Sequence, residues 1–345
     1  MKLKNIGLLL AVLIPSYFVF APDRGRVPSD LRDAVSDGAF ESLAGARGGG
    51  EVPEVPVPVA EELFSASKSI YGADDRLDYY EASAAMQELS NSVVSLWKSD
   101  NTRVTGSTAV LRVRNFGQYA NLCPGEKFEE QPIGPFCSGA LVGEDIVMTA
   151  GHCVLDDSKC AATKFVFGYA LKKAGEYMPK ARFFADAADV YDCKSIIKRD
   201  LDTDTGLLAS VFNGGPGPDF ALIKLDRKVT GRKPLPIHRK ARPAKGDKLF
   251  VIGHPAGLPV KIAGNAKVRD ASPKYFFEAD LDTFGGNSGS AVFNADTKLI
   301  EGILVSGGVD FVDSPAGCRV ASVVPQNGGK GEAVTKISVL EKFIP

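Results

Sequence analysis

Three short stretches carry residues whose types and surroundings suit acyl-transfer chemistry. Val147-Met148-Thr149-Ala150-Gly151-His152-Cys153 is an apolar run that ends in small residues, so the imidazole of His152, one of only three histidines, can project from a strand end into a cleft. Gly217-Pro218-Asp219-Phe220-Ala221-Leu222-Ile223-Lys224-Leu225 sets Asp219 at the mouth of an otherwise apolar strand, where a carboxylate needs a partner and a histidine is one. Taken alone, Asp219 after Pro218 also reads as an ordinary turn aspartate. Asp282-Thr283-Phe284-Gly285-Gly286-Asn287-Ser288-Gly289-Ser290 surrounds Ser288 with glycines, which let a backbone turn sharply and aim several N–H groups at one point, as a tetrahedral oxyanion requires. A flexible Gly-Ser loop is the plainer alternative.

These residues must be held by strands. Short β-rich runs alternate with turn signals: Ser92 to Trp97, Gly106 to Val113, Ser138 to Thr149, Lys164 to Phe167, Phe220 to Leu225, Lys248 to Ile252, Ala291 to Phe293 and Leu299 to Val305. Helical spacing is confined to a short stretch around Ala82 to Leu89 and to the end, where Ser338 is placed to cap a helix through Phe343. With 36 glycines and 21 prolines, the composition favours strands and turns over long helices. There is no internal repeat of fixed period. The serine stretch is not the elbow of an α/β-hydrolase, which needs glycine two residues after the nucleophile, where this chain has Ser290, and which runs Ser, Asp, His along the chain.

The 345 residues, 44% hydrophobic, can bury one large core or two ordinary ones. The 41 basic and 42 acidic residues leave a net charge of -1, too balanced for the phosphate-neutralising surface that generic nucleic-acid binding needs. Lys2 and Lys4 precede an apolar run from Ile6 to Phe20 that ends Val19-Phe20-Ala21, which reads as a secretory signal over residues 1–21. The run is shorter than the roughly 20 residues that span a bilayer, and no later segment is apolar enough to do so. Residues 22–69, with Ala44 to Gly50 Gly-rich and Glu51 to Ala60 interleaved with proline, read as a propeptide or an extended linker. A secreted or periplasmic location permits disulfides, and the six cysteines allow up to three.

The order His152, Asp219, Ser288, with spacings of 67 and 69 residues, and the motifs Thr149 to Cys153 (TAGHC), Asp219 to Leu225 (DFALIKL) and Gly285 to Ser290 (GGNSGS) resemble the chymotrypsin/trypsin family of serine peptidases. The resemblance runs from about Ser92 to the C-terminus. Asn287 and the stretch Ile252 to Pro259 are more similar to the compact bacterial branch that includes glutamyl endopeptidases. It implies an all-β fold of two packed six-stranded antiparallel barrels with a short C-terminal helix, residues 70–235 forming the barrel with His152 and Asp219 and residues 236–345 the barrel with Ser288. It also implies a secreted serine endopeptidase, with His152, Asp219 and Ser288 catalytic and the amides of Gly286 and Ser288 as the oxyanion hole.

Further expectations follow from the resemblance. Cys137 and Cys153 match the family's histidine-loop disulfide; Cys123, Cys160, Cys193 and Cys318 allow three pairings, of which proximity in sequence suggests Cys160 with Cys193, leaving Cys123 with Cys318. Asp282, six residues before Ser288, stands where trypsin-like members attract lysine or arginine, with Ser306 and Gly308 on the opposite pocket wall; the same carboxylate could equally cap loop amides. Val305, where glutamyl endopeptidases carry histidine, disfavours a glutamate preference. In animal zymogens a freed amine pairs with an aspartate before the nucleophile, but this chain has Asn287. The segment Lys68-Ser69-Ile70-Tyr71-Gly72 nevertheless resembles a processing point. His238 and His254 read as structural or surface residues. No metal or cofactor is implied, and partners are protein or peptide substrates of a monomer. The competing reading is a catalytically silent trypsin-like fold that acts as a protein-binding module.

Overall fold

Runs of β-branched and aromatic residues separated by Gly, Pro and Asp turns fold here into twelve principal strands. A computed structural model describes residues 68–176, 181–201, 217–240 and 242–345; the signal-like start and the expected linker up to residue 67 lie outside the described residues. The first six strands are β1 (Val93–Lys98), β2 (Cys137–Gly143), β3 (Ile146–Thr149), β4 (Thr163–Phe167), β5 (Val190–Leu201) and β6 (Asp219–Leu225). They close into a barrel in the order β1-β2-β3-β6-β5-β4, sealed where β4 pairs with β1. The second six are β7 (Lys248–Gly253), β8 (Lys261–Asp270), β9 (Phe276–Ala279), β10 (Ala291–Asn294), β11 (Ile300–Ser306) and β12 (Glu332–Lys336). Their order is β7-β8-β9-β12-β11-β10, closed by β7 with β10 and β7 with β8. Both barrels are antiparallel and share one winding, without any repeat in sequence.

Strand β7 shows why both faces of a strand are apolar. Side chains alternate in direction along a strand, so Leu249 and Val251 join Phe277, Leu304 and Val334 in the core of the second barrel. Phe250 and Ile252 belong instead to the cluster containing Val94, Leu141 and Val147 of the first barrel. That shared cluster joins the two barrels along their seam.

Several strands exceed their sequence signal. The twelve residues of β5 carry charges on a mostly solvated strand, which hides the alternation. In β8 the pattern breaks at Gly264-Asn265, where Asn265 takes φ 54° and the register against β7 slips between Leu249 and Val251. The capped helix falls at Ala84–Ser90, with the Ser83 hydroxyl accepting from the Met86 amide at 3.4 Å. The expected terminal helix is instead two 3₁₀ turns, Ile337–Val339 and Glu341–Phe343. So short a stretch, with β-branched Ile337 and Val339, closes only i→i+3 bonds.

The segment before the first barrel belongs structurally to the second. Leu77–Asp78 pairs with Lys261 and Ile262 of β8, and Ile70–Tyr71 pairs in parallel with Val323–Val324. A buried ion pair fastens it: Lys261 Nζ donates to Asp78 Oδ1 at 2.5 Å and to Gln131 Oε1 at 2.8 Å, while Gln131 Nε2 donates to Asp78 Oδ2 at 2.9 Å. Burial pulls the Lys261 ammonium down to about 8, against the attraction of Asp78. Asp78→Ala leaves that cation buried without its counter-charge and is expected to lower unfolding free energy by about 3–5 kcal/mol in denaturant titration; a loss below about 1 kcal/mol would show that Gln131 and the Pro259 carbonyl, which accepts from Lys261 Nζ at 3.1 Å, suffice to sustain Lys261.

Candidate active site

The Thr149-Ala150-Gly151-His152 turn brings the end of β3 against the start of β6. A Cβ on Gly151 would lie 2.6 Å from the Asp200 carbonyl and 2.9 Å from that of Phe220, so only glycine lets the chain approach this closely. The approach allows Asp219 Oδ1 to accept from the amides of Gly151 at 2.6 Å and His152 at 3.1 Å. Asp219 Oδ2 then lies 2.6 Å from His152 Nδ1. Two backbone donors thus orient the carboxylate, and the carboxylate orients the ring. The imidazole is partly exposed, with 31% of its side chain accessible.

Ser288 sits on the turn between β9 and β10. Gly286 at φ 86° and the Asn287 N–H donating to the Phe284 carbonyl at 3.0 Å form a type II turn, which needs glycine at its third position. Gly289 takes φ 89°, and a Cβ there would fall 2.0 Å from the Ser138 carbonyl. Among the described residues, the amides of Gly286 and Ser288 donate to no protein acceptor, whereas those of Asn287 and Gly289 do. Ser138, which the sequence reading did not single out, ties this turn to the first barrel: its N–H donates to the Ser288 carbonyl at 2.8 Å and its hydroxyl to the Gly286 carbonyl at 2.8 Å.

The Ser288 hydroxyl is not hydrogen-bonded to His152. It accepts from Lys68 Nζ at 3.1 Å and faces the Val305 carbonyl at 3.5 Å, and Ser288 is only 2% exposed. Lys68 is wholly buried, which lowers its pKa against the opposing fields of Glu332, Asp310 and Asp219. Three carboxylates of the second barrel hold the main chain that follows. Asp310 accepts from the Lys68 amide at 2.5 Å, Glu332 from the Ser69 amide at 3.2 Å, and Asp282 from the Tyr71 amide at 2.7 Å and the Asp75 amide at 3.2 Å. Asp282, named in the sequence as a pocket-base or capping residue, makes the capping contacts. Gly308 lies against this segment, since a Cβ there would fall 2.4 Å from Ser69 Oγ, and Ser306, at the end of β11, is exposed.

The cysteines pair as Cys137–Cys153, Cys160–Cys193 and Cys123–Cys318. Cys137, His152 and Cys153 place ligand atoms within 4.8 Å of one another, but the two sulfurs are joined and offer no thiolate to a metal. His254 is buried, its Nδ1 3.0 Å from the Leu258 carbonyl, and desolvation lowers it to about 3. His238 Nδ1 lies 2.6 Å from Glu301 Oε1. No described helix is long and apolar enough to cross a membrane.

Two closed barrels with a histidine–aspartate pair and a serine turn at their seam define a chymotrypsin-like serine peptidase architecture. Residues 137–300 match the family model of the trypsin-like peptidase domain. Solved structures similar to it include human heparin binding protein, at 13% identity and TM-score 0.44 over 75% of this chain and 91% of that one. The VesB protease of Vibrio cholerae matches at 15% identity and TM-score 0.43, over 80% and 67% of the two chains. A Glu endopeptidase in complex with MPD matches at 16% identity and TM-score 0.42, over 78% and 95%. No curated protein sequence matches the chain.

The carboxylates that seat residues 68–75 titrate upward. Burial raises Asp310 to about 6 and Asp282 to about 7, in each case against the amides that donate to it. A carboxyl whose folded pKa lies above its unfolded value of about 3.9 stabilises fully below that value and loses the contribution as pH rises through the folded pKa. In full-length protein carrying Ser288→Ala, the exchange protection of the Tyr71 and Asp75 amides is therefore expected to fall between pH 5 and pH 8, and to vary less with Asp282→Asn. Protection that is constant or rises across that interval would contradict the sign.

Proposed function

We propose that the protein is an exported endopeptidase in which Ser288 is the nucleophile, His152 its general base and Asp219 the group that fixes the imidazole tautomer. The observation that carries this reading is the doubly anchored Asp219 carboxylate, 2.6 Å from His152 Nδ1. With Nδ1–H donating to Asp219, Nε2 is free to take the Ser288 proton as Oγ bonds to the scissile carbonyl carbon. The oxygen of that carbonyl becomes an oxyanion between the amides of Gly286 and Ser288. Each such donor contributes roughly 2.7–4 kcal/mol in a well-studied protease. Imidazolium then protonates the leaving amine as the C–N bond breaks, and water repeats the sequence on the acyl-enzyme. The charged and apolar start of the chain and three disulfides support export.

The seated chain is a latent form. Lys68 occupies the hydroxyl that His152 must reach, so activity requires Lys68 to leave, as removal of the preceding segment at or near this point would accomplish. Asn287 offers no carboxylate to a freed amine, whereas Asp310 and Glu332 already face the amides of Lys68 and Ser69. Substrates with lysine or arginine before the scissile bond fit the acidic surroundings of this cation, and Ser306 and Gly308 flank the pocket.

Labelling with a fluorophosphonate probe tests the nucleophile without requiring the natural substrate. Lys68→Ala is expected to label at least tenfold faster than the unaltered full-length chain, and Ser288→Ala not at all. In an activated form, Asp219→Asn is expected to lower kcat by roughly 10⁴-fold near neutral pH. Gly151→Ala, which displaces the His152 turn, is expected to cost on the order of 10²-fold with the fold retained. Failure of every form to label would favour the catalytically silent binding module.

A further inference from the structure

Asp219 is the first residue of β6, and its ladder partner among the described residues is Leu201 of β5; pairing with β3 begins only at Ala221. The strand therefore holds Asp219 from one side. Its carboxylate is set by the Gly151 and His152 amides, which belong to the first barrel as Asp219 does. None of these contacts ties the aspartate to the barrel that carries Ser288. Thr335 of β12 supplies that tie. Its Oγ1 donates to the Asp219 carbonyl at 3.0 Å, and the Asp219 N–H donates back to the same oxygen at 3.4 Å. A hydroxyl has one proton and two acceptor sites, so one oxygen can hold both main-chain groups of one residue. Thr335 is itself fixed on both sides, paired with Ile303 of β11 and Phe276 of β9. A Cβ on Gly302 would fall 2.3 Å from the Thr335 carbonyl, so β11 and β12 approach closely here. The branched side chain, wholly buried, has little rotamer freedom, and the second barrel thus dictates where the hydroxyl sits.

We infer that Thr335 is the positioning residue of the His152–Asp219 pair, holding the aspartate of one barrel in register with the serine turn of the other. The inference rests on the proposed roles of Ser288, His152 and Asp219. It makes the seam reciprocal: Ser138 of the first barrel holds the turn of Ser288, and Thr335 of the second holds Asp219. A buried hydroxyl that only satisfied itself would need one acceptor. Thr335 instead engages both the carbonyl and the N–H of a single residue, the one whose carboxylate lies 2.6 Å from His152 Nδ1. A shift of the Asp219 main chain would carry that carboxylate with it, and the orientation of the imidazole would follow. The Ser288 hydroxyl rests on Lys68 in the latent chain, so when Lys68 leaves, the hydroxyl must meet an imidazole that is already in place. Thr335 acts on the chemistry only through Asp219.

The test takes the full-length chain with Lys68→Ala, which frees the Ser288 hydroxyl, as parent. Thr335→Val keeps the branched shape and removes the hydroxyl, whereas Thr335→Ser keeps the hydroxyl and removes the methyl group. Thr335→Val is expected to lower kcat on peptide substrates by on the order of 10- to 100-fold with KM within about twofold, since positioning is lost and ground-state binding is not. Thr335→Ser is expected to restore kcat to within a few-fold of the parent, even where it unfolds at lower denaturant than Thr335→Val. An unchanged kcat in Thr335→Val, or equal losses in the two variants, would overturn the inference. Thr335→Ala takes the place of Thr335→Val if the latter does not fold. Proton NMR with isotope-labelled histidine reads the pair without catalysis. The Nδ1–H proton of His152, identified by its loss in His152→Ala, is expected to move upfield and to exchange with water roughly tenfold faster in Thr335→Val, and to keep its parent behaviour in Thr335→Ser. A resonance indifferent to the hydroxyl would overturn the inference even if every form is inactive. A resonance that responds while no form labels with the fluorophosphonate probe would defeat the peptidase reading and leave the positioning of His152 and Asp219 by Thr335 standing.

Discussion

The two barrels share no strand, and the chemistry at their seam depends on Ser138 bonding to both sides at once. Its N–H and hydroxyl hold the carbonyls of Ser288 and Gly286, its hydroxyl also accepts from the His254 amide at 2.9 Å, and its carbonyl accepts from Thr149 Oγ1 at 2.7 Å. The Ser288 turn is thereby fixed to the strand pair that presents His152. The Cys137–Cys153 bridge lies immediately alongside and ties the start of β2 to the histidine turn. A misplacement of about 1 Å between reacting groups is enough to cost orders of magnitude in rate, so a latch of several short bonds at this point matters more than the broad apolar contact behind it.

A second constraint is the handling of buried charge. Asp282, Asp310 and Glu332 all come from the second barrel, and each holds an amide of the segment that precedes the first. Carboxylates withdrawn from water are tolerated where N–H donors and a cation share their field. Here the amides of residues 68 to 75 are the donors and Lys68 is the cation. The same three carboxylates that fasten the segment are therefore destabilised by their own ionisation, and the cation that relieves Glu332 and Asp310 rests on the Ser288 hydroxyl.

What the sequence made legible was local. His152, Asp219 and Ser288 each stand in a distinctive neighbourhood of small residues, and Gly151, Gly286 and Gly289 mark the close approaches and positive φ angles that those turns require. The two-barrel architecture was implied by the family resemblance that these motifs carry. Lys68 was legible only as part of a segment resembling a processing point, and Glu332 and Ser138 not at all, because the contacts that give these three their meaning cross 220, 263 and 148 residues. Asp282 was half legible: its position was apparent, but the direction of a carboxylate depends on which amides reach it, and those belong to residues 71 and 75. Strands β5 and β8 escaped for a similar reason, since solvent-facing charges and a bulge at Asn265 erase the two-residue period by which a strand is recognised.

Lys68 is attached to the body it occupies, and that changes the competition for the place beside Ser288. A short tether gives an attached group an effective concentration on the order of millimolar. A peptide side chain presented at micromolar concentration meets a rival already present about a thousandfold in excess, one that pays no translational entropy to return. Raising the supply of substrate is thus a weak way to open the seam, and cutting the tether is a strong one. Occupancy of the place beside Ser288 is set by covalent connectivity rather than by mass action in solution.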